Sequence, residues 1–102
     1  MHKTSRLIEI VIGVVSTETE IAKDLILSAN RNIEVVEARH MVINLLHNIG
    51  VYTTHISQAF GITPRCVQYA ITTFDDKLTN RHTRSNYERI RKQLCNILET
   101  TV

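Results

Sequence analysis

The stretch Thr54-His55-Ile56-Ser57-Gln58-Ala59-Phe60-Gly61-Ile62-Thr63-Pro64-Arg65-Cys66-Val67-Gln68-Tyr69-Ala70-Ile71 decides the reading of this chain. It reads as two short helices joined by a tight turn. Thr53 or Thr54 can cap the first helix, which carries Ile56, Ala59 and Phe60. Gly61 supplies the residue tolerant of positive φ that a sharp turn needs. Ile62 follows as an apolar plug. Thr63-Pro64 then opens the second helix, with threonine at the cap and proline at the first helical position. Ser57 is the small residue that lets the two helices approach, and Val67 and Ala70 turn inward. This is the pattern of a helix-turn-helix, spanning about residues 53–78.

The same periodicity extends to both sides. Leu7, Ile8, Val11, Ile12 and Val15 recur at helical spacing. Thr17-Glu18-Thr19-Glu20 reads as a capping box that starts a short second helix with Ile21, Leu25 and Ile26, ending near Ser28 to Asn30. A third helix runs from about Ile33 to Ile49 on a broad apolar stripe, and Gly50 stops it. After the helix-turn-helix, Val67, Ala70, Ile71, Phe74 and Leu78 form one buried stripe, and Thr79 to Arg84 reads as a polar connection. Ser85-Asn86-Tyr87-Glu88 reads as a second capping box that opens a last helix with Tyr87, Ile90, Leu94, Ile97 and Leu98 inward. The expectation is one all-α domain over residues 1–102, a compact bundle of about six helices.

Bulk composition agrees. The chain has 102 residues, 43% of them hydrophobic, with one proline and three glycines. That length fits one domain, and few breakers among many aliphatics favour helices over a turn-rich sandwich. The net charge is +2. Residues 1–62 hold five basic and six acidic side chains, whereas residues 63–102 hold seven basic and four acidic. A basic half can meet phosphate, though it is equally what a solvated helix face looks like. Cys66 and Cys95 lie far apart without a CxxC spacing, so reduced thiols of a cytoplasmic protein are expected. No apolar run approaches the roughly 20 residues of a membrane span. Glu9 interrupts the apolar start and no small-residue cleavage site follows, so no secretory signal is read.

On the second helix of the motif, Thr63, Pro64, Arg65, Cys66, Gln68 and Tyr69 would project outward. Arg65 and Gln68 stand three apart on one face. Arginine pairs with guanine and glutamine with adenine through two hydrogen bonds each, for about 1–3 kcal/mol of discrimination. Thr53, Thr54, Thr63 and Lys77 are the expected backbone contacts. Competing chemistries are weaker. His40, His47, His55 and Cys66 fit no usual zinc spacing. A Cys66–His55 nucleophilic pair has no oxyanion site and no orienting acid. No enzyme activity and no cofactor is expected.

Around this element the chain resembles the C-terminal DNA-binding domain of the bacterial chromosomal replication initiator DnaA, from about Leu7 to Leu98. Ala22-Lys23-Asp24-Leu25-Ile26-Leu27-Ser28 is similar to that family's short second helix. Arg31 to Val36 and Ala38-Arg39-His40-Met41-Val42-Ile43-Asn44-Leu45-Leu46 look like its basic loop and long helix. Ile56-Ser57-Gln58-Ala59-Phe60-Gly61 matches its segment before the turn. The resemblance implies a Trp-repressor-like all-α fold, double-stranded DNA as partner, monomeric binding, and Arg31 as the arginine that enters a minor groove. The family's Arg-Asp-His-[Ser/Thr]-Thr-Val after the glycine is Ile62-Thr63-Pro64-Arg65-Cys66-Val67 here. Only the packing valine is kept, which implies a shared scaffold with a different sequence preference. The alternative is a protein–protein interaction module that kept the scaffold and lost DNA binding.

Overall fold

A computed structural model describes residues 3–101. It is all-helical, in the order α1 Lys3–Thr19, α2 Lys23–Leu27, α3 Ile33–Ile49, α4 Thr53–Phe60, α5 Pro64–Lys77 and α6 Arg81–Thr101, with no strand among the described residues. α3 is the central post. α1, α2, α4 and α5 all pack against it, α4 packs on α5, and α6 lies along α1. One apolar cluster draws on all six helices, from Val11 and Val15 through Ile26, Val42, Leu46, Ile56, Val67 and Phe74 to Ile90 and Leu94.

α3 needs neighbours on every side because Met41, Val42, Ile43, Asn44, Leu45 and Leu46 are all buried. Six consecutive residues sweep more than a full helical turn, so no face is left for water. The one polar member is satisfied inside the core. Asn44 Oδ1 accepts from the Tyr87 hydroxyl at 2.8 Å and from Asn48 Nδ2 at 2.9 Å. Its Nδ2 donates to Asp75 Oδ1 at 3.4 Å. The Tyr87 ring sits 5.3 Å from that of Phe74 in a tilted pair. This cluster ties α3, α5 and α6 together, and burial pushes the Tyr87 pKa up.

Two expected boundaries are corrected. Thr17-Glu20 is not a capping box: α1 runs through it to Thr19, whose Oγ1 donates back to the Val15 carbonyl at 2.7 Å. The chain instead turns at Glu20, which takes φ 59°, and Ser16 Oγ closes the corner on the Ile21 carbonyl at 2.6 Å. α2 starts after Ala22 with no side-chain cap. Likewise Ser85-Glu88 lies inside α6, not at its start. Asn80 caps that helix, its Oδ1 accepting from the backbone N–H of His82 at 2.9 Å and of Thr83 at 3.2 Å. The polar connection therefore shrinks to Leu78–Asn80. In both cases the Ser/Thr-x-x-Glu spacing fell on the polar side of a helix already under way. At α4 neither threonine is the cap: Tyr52 holds that position with no side-chain bond.

Asn80→Ala should lower stability by about 1 kcal/mol, the usual worth of a side-chain cap, while Ser85→Ala should leave it almost unchanged; urea melts of the two variants decide between these starts for α6.

His40 gives the fold a pH dependence. It is half-buried on α3, and its Nδ1 has no hydrogen-bond partner. Burial first, then the nearby charges of Lys77 and Arg39, hold its pKa below the ordinary 6.5. The unfolded chain therefore takes up the proton first as pH falls. This contribution to stability is complete above about pH 6.5 and is lost below it, toward the depressed folded value. Denaturation midpoints should fall between pH 7 and pH 5, and His40→Gln should flatten that fall; an unchanged slope in the variant would show that His40 is not its source.

Candidate nucleic-acid interface

The corner between α4 and α5 is built by local chemistry. Gly61 adopts φ 65° and ψ 35°. Its N–H donates to the Gln58 carbonyl at 3.3 Å, and the Ile62 N–H donates to the Ser57 carbonyl at 3.0 Å. These two bonds are a Schellman closure, with the half-buried Ile62 side chain folded onto the core. Thr63 then caps α5, its Oγ1 accepting from the Cys66 N–H at 3.2 Å, and Pro64 takes the first position. Ser57 is buried where α4 meets α5, and its hydroxyl donates to the Thr54 carbonyl at 2.9 Å.

Val67, Ala70, Ile71 and Phe74 are buried, so the opposite side of α5 faces out. Thr63, Pro64, Arg65, Cys66, Gln68 and Tyr69 are all exposed around its first turns. Thr54 is exposed and Thr53 half-exposed at the start of α4. Tyr69 is 68% exposed, with a large ring and no ring partner among the described residues. Tyr52, just before α4, is 73% exposed and lies 5.9 Å from the His55 ring. Sequence reasoning missed Tyr52; the available signal was an aromatic residue standing beside two threonines at a helix start.

Charge is uneven along α5. Its first turns carry Arg65, while Asp75 and Asp76 stand exposed near its last turn. A phosphate backbone would be repelled at that end, so only the N-terminal half suits a groove. Lys77 is not part of the same group. It is half-buried at the other end of the helix, about 20 Å from Pro64 by helical rise, and its charge acts on His40 of α3.

Arg31 occupies a separate place, exposed on the loop between α2 and α3. That loop is braced. Ser28 Oγ accepts from the Asn30 N–H at 3.1 Å, Asn30 Oδ1 from the Asn32 N–H at 2.8 Å, and Asn32 Oδ1 caps α3 through the Glu34 N–H at 2.9 Å. Arg39 clamps it from α3, its Nε donating to the Ile26 carbonyl at 2.9 Å and Nη2 to the Asn30 carbonyl at 3.0 Å. Arg39 is thus a structural cation, and Arg31 the one left free to reach outward.

No three His, Cys, Asp or Glu side chains gather as a metal site among the described residues, and no described helix is long and apolar enough to cross a membrane. The open hollows are shallow. One of about 240 Å³ lies between α1, α3 and α6, lined in part by Glu18, Glu37, Met41 and Arg89, away from the α4–α5 corner.

Gly61→Ala should cost about 1–2 kcal/mol, the penalty of a Cβ in left-handed backbone. Nothing within 4 Å of the added carbon would clash, so the loss is conformational and thermal unfolding should show it with the helical spectrum intact. A loss near zero would mean that the corner does not need positive φ.

No family model matches the chain, and no curated protein matches it in sequence.

Proposed function

We propose that this is a cytoplasmic double-stranded DNA-binding domain that inserts the N-terminal half of α5 into a major groove. The observation that carries this reading is the exposed set Arg65, Gln68 and Tyr69 on the outer face of a helix whose inner face is fully packed. Arg65 and Gln68 offer two-point hydrogen bonding to purine edges. Tyr69 offers a ring against a thymine methyl or sugar. The free N–H groups at the start of α4, with Thr53 and Thr54, suit a phosphate oxygen. Arg31, on its braced loop, is the proposed minor-groove contact; Lys77, half-buried beside Asp75 and Asp76, is left out of the proposed contact set. The resemblance to the DnaA C-terminal domain supports the same placement. Thr63 and Pro64, at the positions of that family's aspartate and histidine, favour a target other than the initiator box. The interaction-module alternative would call for an apolar centre on this face. Of the exposed large aliphatics, Leu25, Leu27 and Ile33 lie on α2 and the start of α3, and Ile49 at the end of α3; none is on α5.

The test is selection from random duplexes followed by anisotropy titration with the selected, scrambled and initiator-box duplexes at two salt concentrations. Arg65→Ala should weaken the selected duplex by about 1–3 kcal/mol and erase preference at one base position. Thr54→Ala, at the start of α4, should weaken every duplex alike. Equal loss on all duplexes for Arg65→Ala removes the base-reading role. Absence of binding at low salt, where the phosphate attraction is strongest, removes the DNA reading.

A further inference from the structure

The chain has three tyrosines and two phenylalanines, and they divide by place. Phe60, Phe74 and Tyr87 are buried in the core. Tyr52 and Tyr69 are the exposed pair, and both belong to the α4–α5 corner. The fold does not call for either ring. Tyr52 holds the cap position of α4 and makes no side-chain bond there. α5 is packed through Val67, Ala70, Ile71 and Phe74, which leaves Tyr69 outside.

The segments that carry the two rings are polar and short of carboxylates. No Asp or Glu occurs between Glu37 and Asp75, a span that takes in most of α3, all of α4 and most of α5. Arg65 stands four residues before Tyr69, so the two exposed side chains share one side of α5. His55 lies beside Tyr52, with ring centres 5.9 Å apart and planes tilted by 45°, a contact that leaves most of the tyrosine bare. No large aliphatic is exposed on α4 or α5. Asp75 and Asp76 begin six residues beyond Tyr69, about 9 Å by helical rise. They confine an anionic ligand to the N-terminal side of that ring.

We propose that Tyr52 and Tyr69 are stacking platforms for single-stranded nucleic acid. A paired base has its faces covered by its neighbours in the duplex and offers a protein only its edge and, on thymine, a methyl group. An unpaired base offers a whole face, and an aromatic side chain covers it. Arg65 beside Tyr69 supplies a cation for the adjoining phosphate, and the lack of carboxylates spares a strand the repulsion it would otherwise meet along these segments. A protein partner would call for an apolar centre, whereas the exposed neighbours of the rings along the chain are Thr54, Arg65, Gln68 and Thr72. The inference goes beyond the duplex reading and does not need it: that reading concerns base edges in a groove, this one base faces outside a duplex.

The test titrates three probes by anisotropy at low salt: a short oligothymidylate, an abasic strand of the same length and charge, and a random duplex of that length. The proteins are the wild-type chain, Tyr52→Ala, Tyr69→Ala, Tyr52→Phe and Tyr69→Phe. The wild type should prefer oligothymidylate to the abasic strand, because only the first has bases to stack. Each alanine variant should lose about 5-fold or more on oligothymidylate, the low end of what one stacked base contributes, with no change on the abasic strand. Each phenylalanine variant should keep the wild-type affinity, since the ring remains. Both side chains are exposed, and unchanged circular dichroism confirms that the variants are folded. Equal binding of the wild type to oligothymidylate and to the abasic strand overturns the proposal. So does wild-type affinity of the alanine variants for oligothymidylate. Ring-dependent binding of oligothymidylate without duplex binding upholds the proposal and removes the duplex reading; duplex binding alone does the reverse.

Discussion

The structure depends on α3 being enclosed. From Met41 to Leu46 every residue is buried, so four other helices must cover that helix. A buried amide in such a ring is costly unless all its hydrogen bonds are made. Asn44 therefore dictates what stands opposite it. Tyr87 of α6 and Asp75 of α5 meet it, and Asn48 bonds to both Asn44 and Tyr87. The bonds of this amide tie α3 to α5 and α6 in one register.

That register is what makes the α4–α5 corner a projecting element. α5 lays Val67, Ala70, Ile71 and Phe74 on the post, which fixes both its axis and its rotation. The glycine turn then sets α4 against it, closed by two backbone bonds and by Ile62. The polar face of α5 is left outside not by its own polarity alone but because its apolar face has one place to go. Charge then divides the exposed face, with Arg65 near one end and Asp75 and Asp76 near the other.

Arg39 shows how one residue type takes different roles by position. Arg31 and Arg39 are eight apart, both in the stretch that reads as a basic loop and helix. One remains in solvent; the other is held on the carbonyls of Ile26 and Asn30, groups that end α2 and shape the loop. Their local sequence does not show that Arg39 is clamped, because its acceptors lie on α2 and on the loop after it, which must first fold back on α3. His40 is similar. Only the packed structure brings Lys77 near it and leaves Nδ1 without a partner.

Local signals were legible wherever a residue acts on its own backbone. Gly50 and Gly61 end α3 and α4 in left-handed geometry, and Thr63-Pro64 opens α5, as their chemistry requires. The apolar periods of α1, α5 and α6 likewise name their buried faces. Capping boxes were not legible, because a serine or threonine three residues before a glutamate also arises on the polar face of a continuing helix, as at Thr17 and Ser85. The sequence by itself determined helix identity, the sharp corner and the inward stripes, since each depends on contacts within a few residues. Only the tertiary structure decided which arginine is clamped and how Asn44 is satisfied. Each of those outcomes turns on packing or on partners that the fold alone brings within reach.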